Sequence, residues 1–192
     1  MRLFAAIELD EGCGQALREA IDAMPPGLPM RWVRQENQHL TLKFIGEWPE
    51  RRCDEVVEAL RRVSSGPIRF TVTGLGVLPN LRSPRVFLAG LRHDEDLPRL
   101  AAKVNEALAP LGIEQERRAY RPHVTLGRVK GRTRPAELQR AIDEHGREFG
   151  LQIVDRFVLF ASELRPSGAV YRKIEEFPLT GGDLPDRGRL IR

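Results

Sequence analysis

The tetrapeptide His-Leu-Thr-Leu at residues 39–42 recurs as His-Val-Thr-Leu at 123–126, and these two copies use two of the chain's four histidines. A pair of imidazoles suits acid–base chemistry near neutral pH, because free imidazole titrates near 6.5. Side chains on a strand alternate faces, so His39 and Thr41 point one way and Leu40 and Leu42 the other. The same alternation sets His123 and Thr125 against Val124 and Leu126. Each copy offers an imidazole beside a hydroxyl, with an apolar pair left for the core. Two such sets describe a phosphodiester site. A neutral imidazole takes a proton from the attacking oxygen, and an imidazolium gives one to the leaving oxygen. The hydroxyls donate to the non-bridging phosphate oxygens. The motifs alone leave open which histidine plays which part.

The elements that must carry these motifs follow from periodicity. Strands are expected over 2–9, 38–45 and 67–77, with helices over 11–24 and 50–64 between them. The second half repeats the order, with strands over 84–91, 122–129, 151–161 and 169–177 and helices over 95–110 and 135–147. Each half reads strand–helix–strand–helix–strand, with 169–177 as one more strand at the end, and each motif falls on the second strand. The expected fold is α+β: two lobes related by a pseudo-two-fold axis, with mainly antiparallel sheets, helices on the outer faces and the motifs sharing one cleft. Residues 1–180 form a single bilobal domain of two repeats, about 1–80 and 81–180, and 181–192 form a flexible tail.

Composition narrows the rest. Of 192 residues, 41% are hydrophobic and 30% charged, as expected of a soluble globular chain. No apolar run approaches the roughly 20 residues needed to span a bilayer, and the N-terminus lacks the longer apolar core of a signal peptide. A cytoplasmic location is expected, with no membrane partner. Only Lys43, Lys103, Lys130 and Lys173 are lysines; the remaining basic residues are arginines, which favour planar anions such as phosphate. A net charge of +4 is compatible with an anionic ligand without establishing one. Cys13 and Cys53 have neither a metal-site spacing nor a nearby histidine and read as reduced, packed thiols. No metal and no cofactor are expected, since ligand-spaced carboxylates and a phosphate loop are both missing. Lys43 shares the parity of His39 and Thr41 and is placed at the cleft. His93 and His145 begin no motif and read as structural.

The chain resembles the 2H phosphoesterase superfamily, and within it the RNA 2′,3′-cyclic phosphodiesterases, also called 2′-5′ RNA ligases or LigT-like proteins. The resemblance rests on RLFAAIEL at 2–9, HLTLKFIGE at 39–47, YRPHVTLGR at 120–128 and SELRPSGAVY at 162–171. It implies hydrolysis of an RNA 2′,3′-cyclic phosphate end to a 2′-phosphomonoester, and ATP-independent ligation as the reverse reaction. By the same resemblance His39 is the proton donor and His123 the proton acceptor. Thr41, Thr125 and Arg128 would bind the phosphate, and Tyr120 would stack on the terminal base. Simple alternation turns Arg128 away from the cleft, and a bulge at Gly127 would return it. Tyr120 is equally readable as a core aromatic. The alternatives are a small cyclic nucleotide as substrate, or a non-catalytic module that binds RNA ends. A cleft within one chain needs no dimer, so a monomer is expected.

Overall fold

The structure, a computed structural model, describes residues 1–116, 118–165 and 168–181. The flexible tail expected over 181–192 lies outside the described residues, apart from Gly181. Among the described residues, nine strands and four α-helices follow in the order β1 (Arg2–Glu8), α1 (Glu11–Asp22), β2 (Met30–Trp32), β3 (His39–Glu47), α2 (Cys53–Arg61), β4 (Ile68–Leu78), β5 (Val86–His93), α3 (Asp96–Leu108), β6 (Val124–Val129), α4 (Pro135–His145), β7 (Glu148–Val154), β8 (Arg156–Arg165) and β9 (Gly168–Pro178). The strands pair antiparallel, in the order β7-β4-β5-β6-β3-β1-β8-β9, with β2 beside β6. The α+β class and its antiparallel sheet are those expected.

The sheet has two like halves, β9-β8-β1-β3 and β6-β5-β4-β7. They meet where β3 and β6 touch through one register pair, Leu40 with Val124. The halves of the sheet are not the halves of the chain. Strand β4 lies before residue 80 but pairs with β5 and β7, while β8 and β9 join β1. The helices cross over in the same way: α1 packs on β7, and α3 touches β3. One continuous core results, running from Leu3 and Ile7 through Leu40, Leu60, Leu100 and Val124 to Leu138 and Phe177.

Local chemistry explains the boundaries. Asp10 caps α1 by accepting the Cys13 backbone N–H at 2.7 Å, so the helix starts where the acidic turn follows the apolar strand. Its buried face is Cys13, Leu17, Ala20 and Ile21, the stripe a 3.6-residue period demands. The apolar run 151–161, expected as one strand, is two strands. The chain bends at Asp155, and the parts go to opposite halves of the sheet, β7 to β4 and β8 to β1. Periodicity cannot see such a break, because both sides of it are apolar. The short strand β2 was not expected.

Candidate active site

The alternation read in the motifs is present. Leu40, Val124 and Leu126 are fully buried and Leu42 nearly so, while His39, Thr41, His123 and Thr125 are half-buried. The Leu40–Val124 pair is the local two-fold centre. Extending its antiparallel register one residue each way sets His39 opposite Thr125 and Thr41 opposite His123. By this offset His39 and Thr125 fall to one side of the centre, and Thr41 and His123 to the other.

Both imidazoles are tethered alike. His39 Nδ1 lies 2.8 Å from the Asn37 carbonyl oxygen, and His123 Nδ1 lies 2.8 Å from the Arg121 carbonyl oxygen. A carbonyl only accepts, so Nδ1 carries hydrogen in each ring, and Nε2 is the nitrogen left for proton transfer. The Asn37 side chain donates to the Ala169 carbonyl at 2.9 Å, which fixes the tether of His39 to the start of β9.

The surroundings of His39 are aromatic. Its ring centroid lies 4.8 Å from that of Phe4, and Tyr171 meets it edge-on at 5.3 Å. Phe4 also stacks on Phe160 at 5.2 Å, and both belong to a small apolar cluster on the cleft side with Ala6 and Val158. Burial pushes the His39 imidazole below 6.5; the Asn37 carbonyl opposes this, and the charge of nearby His123 adds to it.

A matched irregularity follows each motif. Thr41 pairs with Ala6 and Lys43 with Ala5, so Leu42 is the extra residue of a bulge. Thr125 pairs with Leu88 and Gly127 with Phe87, so Leu126 is the extra residue of the second bulge. Each bulge reverses the parity beyond it. Arg128 thereby returns to the cleft, by a bulge whose extra residue is Leu126, one position before the Gly127 expected to carry it. Lys43 does the opposite. It turns away from the cleft, is 7% exposed, and its Nζ donates to the Glu114 carbonyl. The position expected to add charge at the cleft is corrected accordingly. Phe44 takes that place, 68% exposed, as the structural counterpart of Arg128.

Gly127 is demanded by packing. A Cβ there would sit 2.9 Å from the Trp32 ring, which meets Phe87 edge-on at 5.5 Å.

Tyr120 is not brought to the cleft. It packs against the core, burial pushes its phenol well up, and its hydroxyl donates to the Thr41 carbonyl at 2.8 Å. The base-stacking placement required a ring in the cleft; the ring instead lies on the face opposite His123, as simple alternation gives, and its hydrogen bond to Thr41 holds it against the core. It clips the segment that carries His123 onto β3, across a junction with only one register pair. Tyr120→Phe should cost about 1 kcal/mol of stability and lower kcat more than it raises KM. Urea unfolding and steady-state kinetics check this, and an unchanged kcat would remove the aligning role.

His39, Thr41, Thr125 and Arg128 line a cavity of about 790 Å³ together with Phe4, Phe44, Arg2, Arg31, Arg34 and Tyr171, among others. His123 stands next to this lining rather than in it. None of the described lining residues is acidic. Tyr171 was missed by sequence reasoning. Its ring braces His39, burial pushes its phenol up, and Arg128 and Arg2 lie close enough to pull the other way. The signal available was its place at the end of the 162–171 segment.

The LigT-like phosphoesterase family model matches residues 7–88 and 91–171. The chain belongs to this family. Among LigT-like relatives, an RNA 2′,3′-cyclic phosphodiesterase of Thermotoga maritima is 36% identical over 185 residues, covering 95% of this chain and 97% of the relative. One of Archaeoglobus fulgidus is 33% identical, covering 92% and 99%. Among solved structures, TT0787 of Thermus thermophilus superposes with a TM-score of 0.80 at 31% identity, covering 95% of this chain and 100% of that one. E. coli LigT complexed with 3′-AMP gives 0.77 at 26%, covering 93% and 98%. The LigT-like fold thus accounts for nearly the whole chain, including both motif strands.

Proposed function

We propose that this chain hydrolyses RNA 2′,3′-cyclic phosphate ends to 2′-phosphomonoesters by two-histidine acid–base catalysis without a metal. The observation that carries the reading is the matched tethering of the two imidazoles. Each holds its Nδ1 on a backbone carbonyl and keeps Nε2 for proton transfer, beside a cavity with arginines and no acidic lining among the described residues. The names of the relatives support the substrate class.

In this reading His123 Nε2 takes a proton from water as its oxygen bonds to phosphorus. The bond from phosphorus to O3′ breaks, and O3′ receives the proton of His39 Nε2. The product is a 2′-phosphate beside a free 3′-hydroxyl, and one net proton passes from His123 to His39 to reset the pair. Burial suits His39 to donating, because a depressed pKa makes its protonated form the stronger acid. The substrate's negative charge, once bound, favours that protonated form. Thr41, Thr125 and Arg128 stabilise the charge that builds on the phosphoryl oxygens. Ligation is the reverse reaction, with an RNA 5′-hydroxyl replacing water.

An oligonucleotide with a 2′,3′-cyclic end, incubated with the protein in EDTA, should gain one water and carry its phosphate on the 2′ oxygen. Mass spectrometry reads the added water, and chromatography of the terminal nucleotide, released by nuclease digestion, against 2′- and 3′-phosphate standards reads the position. Turnover only after addition of a divalent cation, or a 3′-phosphate product, would contradict the reading.

A further inference from the structure

Arg31 and Arg128 are register partners in the pairing of β2 with β6. Directly opposed like charges destabilise an antiparallel pair unless an anion lies beside them. Both arginines are exposed and both line the cavity. The ion pairs of neighbouring arginines join Arg2 to Glu47 and Arg34 to Glu36. Among the described residues, no ion pair includes Arg31 or Arg128.

Strand β2 has only three residues, and β6 is the strand it pairs with. It contributes little to the sheet beyond placing Arg31 and Trp32 over the cleft. Its position is firmly held: the Val33 backbone donates to the Leu126 carbonyl at 2.8 Å, and Trp32 fits only because residue 127 lacks a Cβ. The Arg31 side chain reaches toward the other wall, since a Cβ on Gly168 would lie 3.4 Å from its Nη2.

A terminal cyclic phosphate carries one negative charge. Arg128, two threonines and a protonated histidine already answer it, and Arg34 is paired with Glu36, which leaves Arg31 in excess. The guanidinium fork matches phosphate oxygens two at a time. Opposed Cα atoms lie about 5 Å apart, and two repelling arginine side chains diverge from there, so their forks can serve adjacent phosphates of one strand. We propose that Arg31 forms a second phosphate subsite that holds the phosphate one nucleotide upstream of the cyclic end. This rests on the reading that the cyclic phosphate is processed between His39 and His123.

The test compares three substrates: cytidine 2′,3′-cyclic phosphate, its 5′-phosphorylated form, and a dinucleotide ending in the same cyclic cytidylate. The wild-type protein should show a kcat/KM at least about tenfold higher for the dinucleotide than for the unphosphorylated nucleoside compound. Arg31→Ala and Arg31→Gln should each erase most of that ratio and lower the salt dependence of dinucleotide binding by about 0.7 in the log–log slope. A gain with the 5′-phosphorylated compound as well shows a subsite that reads phosphate from either source. A gain with the dinucleotide alone shows one that reads the phosphodiester of a strand. Equal losses on all three substrates in the Arg31 variants, or turnover of all three by the wild type with no ratio, would overturn the subsite and leave the catalytic reading intact. No turnover of any by the wild type would overturn both.

Discussion

His39→Ala and His123→Ala each lose about 10²–10⁴-fold in kcat/KM on a 2′,3′-cyclic phosphate. The two variants separate when the leaving group changes. A p-nitrophenyl phosphodiester releases a weakly basic phenolate that needs no proton, so the variant without the acid recovers on it while the variant without the base does not. With His39 as donor, His39→Ala comes within about tenfold of the wild type on the nitrophenyl ester, and His123→Ala keeps a loss near 10²-fold or more. The opposite pattern would exchange the roles, and equal losses on both substrates would end the division of labour. The pH profile carries the same signature. Protonating both imidazoles silences the site, and burial makes His39 resist protonation. The acidic limb of kcat/KM therefore lies below about 6.5. An acidic limb above that value would contradict the buried placement of His39.

Arg128→Ala loses about 10²-fold in kcat, comparable to removing one preorganised donor from an oxyanion site. Arg128→Lys recovers only part of this, because an ammonium is a point charge without the planar fork. The bulge at Leu126 supports the expectation. It returns Arg128 to the cavity that His39, Thr41 and Thr125 line. Steady-state kinetics of both variants on one cyclic substrate would decide it, and a loss under about threefold in Arg128→Ala would remove the residue from the charge-stabilising group.

What could be read from the sequence divides along a physical line. Alternation is a local property of an extended chain, so the inward leucines and valine and the outward His-x-Thr pairs were legible. Bulges are set by the partner strand as much as by the bulged one. Gly127 hinted at the second, but nothing around Leu42 marked the first, so Lys43 was placed in the cleft and Phe44 was not considered. Tyr120 could be read as core or cleft, and a hydrogen bond to a carbonyl 79 residues away decided its place. The exchange of strands between the halves is equally non-local. The bend at Asp155 sends the two apolar parts of a segment read as one strand to opposite halves, and only the assembled sheet shows where each goes.

The matched bulges put Phe44 and Arg128 at equivalent places on opposite walls. A site built on a two-fold axis between identical subunits would be compelled to offer the same residue twice. Here one polypeptide makes both walls, and each has been free to diverge. One presents a ring, the other a cation. A nucleic acid strand is itself polar, with a base at one hand and a phosphate at the other. Under the proposed RNA reading, the broken symmetry of the walls would give the groove a direction in which such a strand is told apart from its reverse.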